Sequence, residues 1–563
     1  MLLKSYLALT ASTLVSVSAL AADYYVAPNG TGDYSYGNPG PSPLAAARLA
    51  TATGDVIHMA CGTYVYSTPD GELMVKPGVT IEGGSGNPEE TVIERMRVGN
   101  NDRVVCVGYG ATLRNLTLRG GYTDYQAGGI MGYDDVFGTH QVFSVSNCIV
   151  ENCTAAYQGG GGSGGTWRDC IVRNCQATAA NETYRYQACN GWGGGIMGGE
   201  LYGCVVSNCW AFGSGGGVAG GTDNVGSDIR LWATNCTFSS NATRYENGGG
   251  AAGYSLQDEG KGCFLYDCTV SGNEAKRPDS QPEGTLGGGI SRANAVGCLI
   301  VGNYSLMHGG GTHDSVLTDC VLRNNAAYYC GGAGYLSAYT GCTLDGNVAE
   351  HSYGGATYDC NTRNCAVFGN RSGVLAALCH GEHVGDIVCF NYAWQDGDAS
   401  GRPAGGSACG AYDHSCKLVN CTIFWNEGGT VAVSSSELIN CIVWGQAVGG
   451  SFDSATTTLS HCFLPDGEDI SGCQNCKTGT SAGFVIEKSD DYLVNVYALR
   501  DAVQQSFRNL DLKYSSPCRN AGVNQDWMRG AFDVFGTKRL REGLVDIGAV
   551  ESTFRPGLAI IFR

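Results

Sequence analysis

Arg292, His313, Asp314, Tyr335, Tyr358 and Asp359 are the residues of this chain best placed for chemistry, because they recur in step behind a repeated glycine cluster. The cluster stands at 193–195, 215–217, 248–250, 287–289 and 309–311, with Gly331-Gly332-Ala333 and Gly354-Gly355-Ala356 as weaker copies. The next position holds Ile196, Val218, Ala251, Ile290, Thr312, Gly334 and Thr357, expected to point inward. The one after holds Met197, Ala219, Ala252, Ser291, His313, Tyr335 and Tyr358, and the third holds Gly198, Gly220, Gly253, Arg292, Asp314, Leu336 and Asp359. Small residues thus give way to a base, acids and rings on neighbouring repeats. His380 and Glu382 extend the patch if the repeat persists through a weaker copy. Aromatic faces beside polar groups suit sugar binding, with Tyr335, Tyr358, His380 and Glu382 as contacts. His313, Asp314, Arg292 and Asp359 are the matching weak candidates for general acid–base work. The competing reading is a ladder of polar side chains decorating a regular surface. If the patch is surface-borne, changing His313 and Tyr335 together to Ala should abolish glycan binding and leave the melting temperature nearly unchanged.

Other constellations carry less. Cys473-Gln-Asn-Cys476 with His461-Cys462 has ligand types that zinc accepts, but an exported chain favours a local disulfide or stacked thiols there. Asp396-Gly-Asp398 offers oxygen ligands for Ca²⁺ in a motif too short to assign. No metal site or cofactor is therefore assigned. The glycine clusters are not nucleotide loops, since they repeat many times and lack a following helix with Lys-Ser/Thr. Asp134-Asp135 and Asp490-Asp491 read as solvated turns.

The elements that position these residues follow from a cysteine. It recurs as Asn147-Cys148-Ile-Val, Asp169-Cys170-Ile-Val, Asp267-Cys268-Thr-Val and Gly297-Cys298-Leu-Ile, and on through Cys462, with Asp386 as a substituted member. The steps lie near 22 residues or lengthen to 30–35. Such a period means one supersecondary unit per step, with loops added in the longer ones, hence a solenoid. Five residues after most of these cysteines stands an asparagine, as at Asn241, Asn273, Asn303 and Asn325; in the first three repeats it is Cys153, Cys175 and Cys209. Asparagine tolerates a left-handed turn, and its amide can bond the turns above and below. The residues between alternate as in a strand. Stacked Asn or Cys at one corner points to a parallel β-helix of about sixteen coils, ~75 Å long at the strand spacing.

There are 28 cysteines, which in an exported chain suggests disulfides. A cysteine at one strand position would stack in a column as a small buried hydrophobe, so free thiols are expected for Cys148 through Cys462. Adjacent coils remain close enough for some pairing.

Residues 1–21 read as a secretory signal, with Lys4, an apolar run from Leu7 to Leu20 and Ala19-Leu20-Ala21 as the cleavage site. The mature chain has no apolar stretch long enough to span a bilayer. Export to the cell surface, outer membrane or medium is expected. The net charge of −18 argues against nucleic acid, and a polyanionic glycan would need a local basic groove. Pro43-Leu-Ala-Ala-Ala-Arg-Leu-Ala50 reads as a short helix within an N-terminal cap, residues 22–54. The coils are placed at 55–480, a C-terminal cap at 481–551 and a tail at 552–563.

Asp23-Tyr-Tyr-Val-Ala-Pro-Asn-Gly30, Pro43-Leu44, Gly54-Asp-Val-Ile and Gly62-Thr-Tyr64 resemble the N-terminal cap and first coil of the pectin-lyase-like right-handed parallel β-helix superfamily. Gly193-Gly-Gly-Ile196, Gly287-Gly-Gly-Ile290 and Phe238-Ser-Ser-Asn241 are similar to the polymorphic outer membrane protein repeat. Ser516-Pro-Cys-Arg-Asn-Ala-Gly522 with Val545-Asp-Ile-Gly-Ala-Val-Glu551 resembles the C-terminal segment of secreted bacterial β-helix proteins. These likenesses imply an all-β, single-stranded right-handed parallel β-helix with helical N-terminal and separate C-terminal caps. They imply little about activity, because one fold hosts many functions. Lyases of the superfamily use acids that bind Ca²⁺ with an Arg or Lys base, and its hydrolases use paired Asp; neither set can be matched here residue by residue. Autotransported relatives of the repeat end in a membrane barrel, and only twelve residues follow Glu551, so self-transport is not expected.

Two functions remain. One is a surface or secreted protein that binds a polysaccharide or a cell-surface partner, adhesin-like or structural. The other is a carbohydrate-active enzyme, a polysaccharide lyase or glycoside hydrolase, working in a groove along the helix. The missing catalytic set favours the first.

Overall fold

A chain that turns every few residues must resolve two problems at each corner: a backbone that bends the wrong way for most side chains, and an amide left without a strand partner. In the computed structural model, which describes residues 21–67, 71–133, 142–180, 190–222, 228–254, 256, 262–277, 284–394, 407–410, 416–426, 428, 431–445, 450–484, 510–541 and 543–553, both are resolved by the repeated motifs. The segment read as a secretory signal, up to residue 20, Asp134-Asp135, Asp396-Gly-Asp398, Asp490-Asp491 and the tail from 554 lie outside the described residues.

One coil shows the plan. Ser144–Ser146, Ile149–Glu151, Thr154–Ala155 and Gly162–Ser163 are successive strands. Each pairs in parallel with its equivalent one coil on, at Thr166–Arg168, Ile171–Arg173, Gln176–Ala177 and Ile196–Met197. Repetition builds four faces, numbered here in that chain order, with 17, 17, 12 and 15 strands among the described residues. The first of the 17 strands on the first face is Asp23–Val26, so sixteen coils follow it. Pairing within these sheets is parallel, except where Asn101–Asp102 opens the third face against Tyr122–Thr123. Alternation sends every second side chain inward. Val145, Trp167, Leu201 and Leu265 fill the interior from the first face, and Val150, Val172, Val206 and Val270 from the second, all buried.

Asn147, Asp169, Gly203, Asn235 and Asp267 take φ between 47° and 64° at the corner between the first and second faces. The cysteine that follows each is buried and acts as a rung. The Cys298 N–H donates to Cys320 Sγ, and the Cys320 N–H to Cys342 Sγ, both at 3.4 Å. Each thiol donates in turn to the carbonyl two residues back, as Cys320 does to Thr318 at 3.3 Å. Asparagine does the same more strongly at the next corner. The Asn303 N–H donates to Asn325 Oδ1 at 3.0 Å, while Asn303 Nδ2 donates to that oxygen at 2.9 Å and to the Val270 carbonyl at 3.0 Å. The pattern runs from Asn241 to Asn426. Thiol and amide are interchangeable in it, since the Cys175 N–H donates to Cys209 Sγ and the Cys209 N–H to Asn241 Oδ1. A third ladder, between the fourth and first faces, passes from Ala293 N–H to Ser315, from Ser315 N–H to Ser337 and from Ser337 N–H to Cys360, each at 3.2 Å. All 27 described cysteines are free. Burial pushes the Cys148 and Cys360 thiols up to about 12, which starves disulfide exchange of thiolate.

The helix Pro43–Leu49 starts with Pro and is capped by Ser42, whose hydroxyl accepts the Ala45 N–H at 3.3 Å. Its Leu44, Ala46 and Ala47 join the core that holds Ile57, Leu73 and Val75, which covers the first coil. The described C-terminal residues lie along the flank. Leu510, Leu512, Ile547 and Ala549 pack on Ile387, Phe424, Ile442 and Phe463. Corner asparagines receive them: Asn440 accepts the Val523 N–H at 2.7 Å and donates to its carbonyl at 2.9 Å, and Asn420 donates to the Asp546 carbonyl at 3.1 Å. Buried Arg539 ties Asn364, the Gly548 carbonyl and Glu551 together.

Asp386 interrupts the cysteine column. Its Oδ1 accepts the Cys365 N–H at 2.7 Å, its Oδ2 bonds the Thr362 hydroxyl, and Thr362 Oγ1 lies 2.7 Å from His383 Nδ1. His383 Nε2 lies 3.1 Å from the His380 carbonyl and must donate to it. A neutral His383 then accepts from Thr362 at Nδ1, which obliges Asp386 to be the protonated donor to Thr362. Burial supports this neutral arrangement, pushing Asp386 up to about 7 and His383 down to about 4.

Titration of denatured protein with a thiol reagent should therefore find nearly as many free thiols as cysteines; near-complete pairing would overturn the ladder. The Asp386–His383 pair makes a second prediction. With His383→Gln, the contribution of Asp386 is complete below its ordinary 3.8 and is lost as pH rises toward 7. With Asp386→Asn, the contribution of His383 is complete above its ordinary 6.5 and is lost as pH falls toward 4. In the parent the two slopes largely cancel between those limits. Urea midpoints, taken as differences from the parent, should trend oppositely in the two variants; matching trends would refute the neutral pair.

Candidate functional site

The corner between the fourth and first faces carries the residues singled out from the sequence. Ile290–Ser291, Thr312–His313, Gly334–Tyr335 and Thr357–Tyr358 are consecutive strands of the fourth face, paired Ser291 to His313 to Tyr335 to Tyr358. Ile290, Thr312 and Thr357 point inward and are fully buried. Arg292, Asp314, Leu336, Asp359 and His380 then make the turn, with φ between 44° and 57°. Glycine takes this role in earlier coils, as at Gly198. An arginine or leucine there costs roughly 1–2 kcal/mol against glycine-like backbones, which the adjacent Ser315–Ser337–Cys360 ladder helps to hold.

The parallel register stacks the side chains. The His313 and Tyr335 rings lie 5.7 Å apart at 21°, Tyr335 and Tyr358 are 5.8 Å apart, and His380 meets Tyr358 edge-on at 5.4 Å. His313 Nδ1 lies 3.0 Å from the buried Ser291 hydroxyl. Burial and the Arg292 charge push His313 down to about 3, so the imidazole is neutral near pH 7. Arg292 Nε faces Asp314 Oδ2 at 3.3 Å, with both side chains some 40% exposed; in water such a pair adds at most about 1 kcal/mol. Burial and the carboxylate of Asp359 raise Tyr335, and burial, then the Cys379 and Cys330 thiols and Asp359, raises Tyr358.

The structure gathers Arg292, His313, Asp314, Tyr335, Tyr358, Asp359 and His380, but not Glu382. That residue lies beyond the corner on the first face, exposed, its N–H donating to Asn361 Oδ1 at 2.9 Å and its register aligned with Lys417. His313 also departs from expectation: at 5% exposure it is part of the packing. The expectation of an unchanged melting temperature for the alanine variant does not survive that burial.

Sequence reading missed a second row. Leu286, His308 and Cys330 form parallel bridges just before the glycine clusters. His308 stands 4.9 Å from Tyr335, 6.1 Å from Tyr329 and 6.3 Å from Tyr358, and Tyr353 is 6.4 Å from Tyr358. Burial pushes His308 down to about 4. The residue immediately before each cluster was a usable signal, hidden because its type changes from coil to coil. The first face bears another unforeseen strip. Trp232 stacks on Phe264 at 5.7 Å and Tyr266 at 4.7 Å, and Arg168 covers Tyr202 at 4.4 Å. These rings spend their faces on one another, as cross-strand pairs that stabilise a sheet do.

Among the described residues no three His, Cys, Asp or Glu side chains are grouped as metal ligands. At the other motif with ligand types, Cys476 Sγ accepts the Cys462 N–H at 3.4 Å and continues the column, while Asn475 meets His461 at 3.1 Å.

No protein family and no curated protein matches the chain. Solved structures do. A pectate lyase aligns at 13% identity over 95% of this chain and 97% of its own, with TM-score 0.25. A mannuronic acid-specific family 6 polysaccharide lyase from human gut microbiota aligns at 9% over 87% and 95%, with TM-score 0.27. The A-module of a mannuronan C-5 epimerase from Azotobacter vinelandii aligns at 13% over 74% and 93%, with TM-score 0.22. Likeness at that level carries nothing about activity. The strand registers themselves make the fold a parallel β-helix solenoid with four faces.

Burial separates the site residues in a denaturation experiment. His313→Ala should cost about 2 kcal/mol or more, through lost packing and an orphaned Ser291 hydroxyl, whereas Arg292→Gln should stay within about 1 kcal/mol. Equal effects would place His313 outside the packed layer.

Proposed function

We propose that this is an exported β-helix protein, secreted or held at the cell surface, that binds a glycan without cleaving it. The observation that carries the reading is the ladder of stacked imidazole and phenol rings on the fourth face, His313, Tyr335 and Tyr358, with His308 and His380 beside them. Rings 5.7 and 5.8 Å apart on successive coils offer apolar edges and polar atoms at intervals close to one pyranose length, which suits a sugar chain. The acid–base reading has less support. Hydrolysis needs a carboxyl group held protonated beside a second carboxylate, and Asp314 is occupied by Arg292. The carboxyls that burial raises among the described residues, Asp386, Asp546 and Glu551, are buried away from the ladder. Export rests on the N-terminal segment, and no helix among the described residues is long and apolar enough to cross a membrane.

Incubation of the purified chain with acidic and neutral polysaccharides should give no new reducing ends and no unsaturated uronate absorbance, while retention on glycan-coated or cell surfaces saturates. Turnover that disappears in Tyr335→Phe/Tyr358→Phe would make the protein an enzyme instead.

A further inference from the structure

The hydrogen-bonding groups of the ladder share a property that narrows the ligand. Tyr335 and Tyr358 carry phenols raised by burial, and His308 and His313 carry imidazoles lowered by it. All four are uncharged over the range where most exported proteins work. His308 Nδ1 is buried with no hydrogen-bond partner. A buried lone pair is tolerated more readily than a buried N–H, which assigns the proton to Nε2. Phenols and neutral imidazoles both donate and accept, as sugar hydroxyls do.

The charges around the ladder point the same way. Recognition of a carboxylate or sulfate is strongest where a cation is aimed at it. The cation at this corner, Arg292, turns its Nε to Asp314. Asp359 lies close enough to both phenols to raise them. An anionic ligand would therefore meet Asp314 and Asp359 with one guanidinium, that of Arg292, already turned to Asp314, on a chain of net charge −18.

We infer that His308, Tyr335 and Tyr358, seated against the buried ring of His313, select uncharged, hydroxyl-rich glycans over those bearing uronate or sulfate. The inference rests on the glycan-binding reading above and narrows it to a ligand class.

Affinity electrophoresis of the full chain tests it, in gels containing soluble β-glucan, galactomannan, arabinoxylan, polygalacturonate, alginate or chondroitin sulfate. At least one neutral polymer should retard the protein and the three acidic ones should not. Retardation should be the same at low and high salt, because no ions are released. Tyr335→Phe/Tyr358→Phe keeps the rings and removes two hydroxyls, and should weaken binding about tenfold. Salt-sensitive binding of an acidic polymer, lost in the same variant, would overturn the class and leave glycan binding standing. Neutral binding untouched by the variant would overturn the assignment to this ladder. Retardation by none of the six would remove both readings.

Discussion

The structure depends on satisfying the backbone amide that each corner exposes to the interior. A coil of about 22 residues cannot close without bends, and a bend in a parallel stack leaves an N–H pointing along the axis with no strand partner. Three ladders answer this with short side chains that can accept: thiols, as at Cys298, Cys320 and Cys342; amides, from Asn241 to Asn426; and hydroxyls at Ser315 and Ser337. Each accepts from the coil before it, so the bonds pass from coil to coil. Lining an interior with so many cysteines looks like a disulfide framework until the thiols are seen to hold a backbone in place.

The same constraint shapes the exterior. The residue before each ladder member must take a left-handed backbone, which its short, mostly Asn, Asp or Gly side chains allow. Where those side chains face outward at Asn364, Asn420 and Asn440, they receive the C-terminal segment. At the corner between the fourth and first faces the same position carries Arg292, Asp314, Leu336, Asp359 and His380. There the pattern departs from what the backbone prefers, as it also does at Phe390 and Trp425 before the last two ladder asparagines. Local preference has been set aside where the surface changes from small residues to rings and charges, which is where function would be sought.

Much of this was legible in the sequence because a solenoid writes its architecture as a period. The cysteine and asparagine spacings locate the corners, the alternation between them marks strands, and Pro43 marks the helix. The glycine clusters fixed the register of the fourth face, so Ser291, His313, Tyr335 and Tyr358 could be aligned before any coordinates. Glu382 was misplaced because the count from a glycine cluster fails where Leu375–Cys379 lengthens the strand and shifts its register. His308 and Tyr353 escaped notice because a column whose residue type changes at every coil has no pattern to follow.

The sequence by itself determined the coil: which residues turn, which point inward and which coils neighbour one another, since each depends on local backbone preference and a fixed repeat. Only the tertiary structure decided how deeply a side chain lies and what it meets. His313 reads as a surface base, yet stacking under Tyr335 and against Ser291 buries it and leaves it neutral. Asp386 reads as a lapse in a cysteine column, yet Thr362 and His383 arrive from neighbouring positions to hold its proton. The C-terminal segment comes from more than a hundred residues away to lie on the corner asparagines. Burial and protonation depend on distances across the stack, and a linear pattern carries no record of those distances.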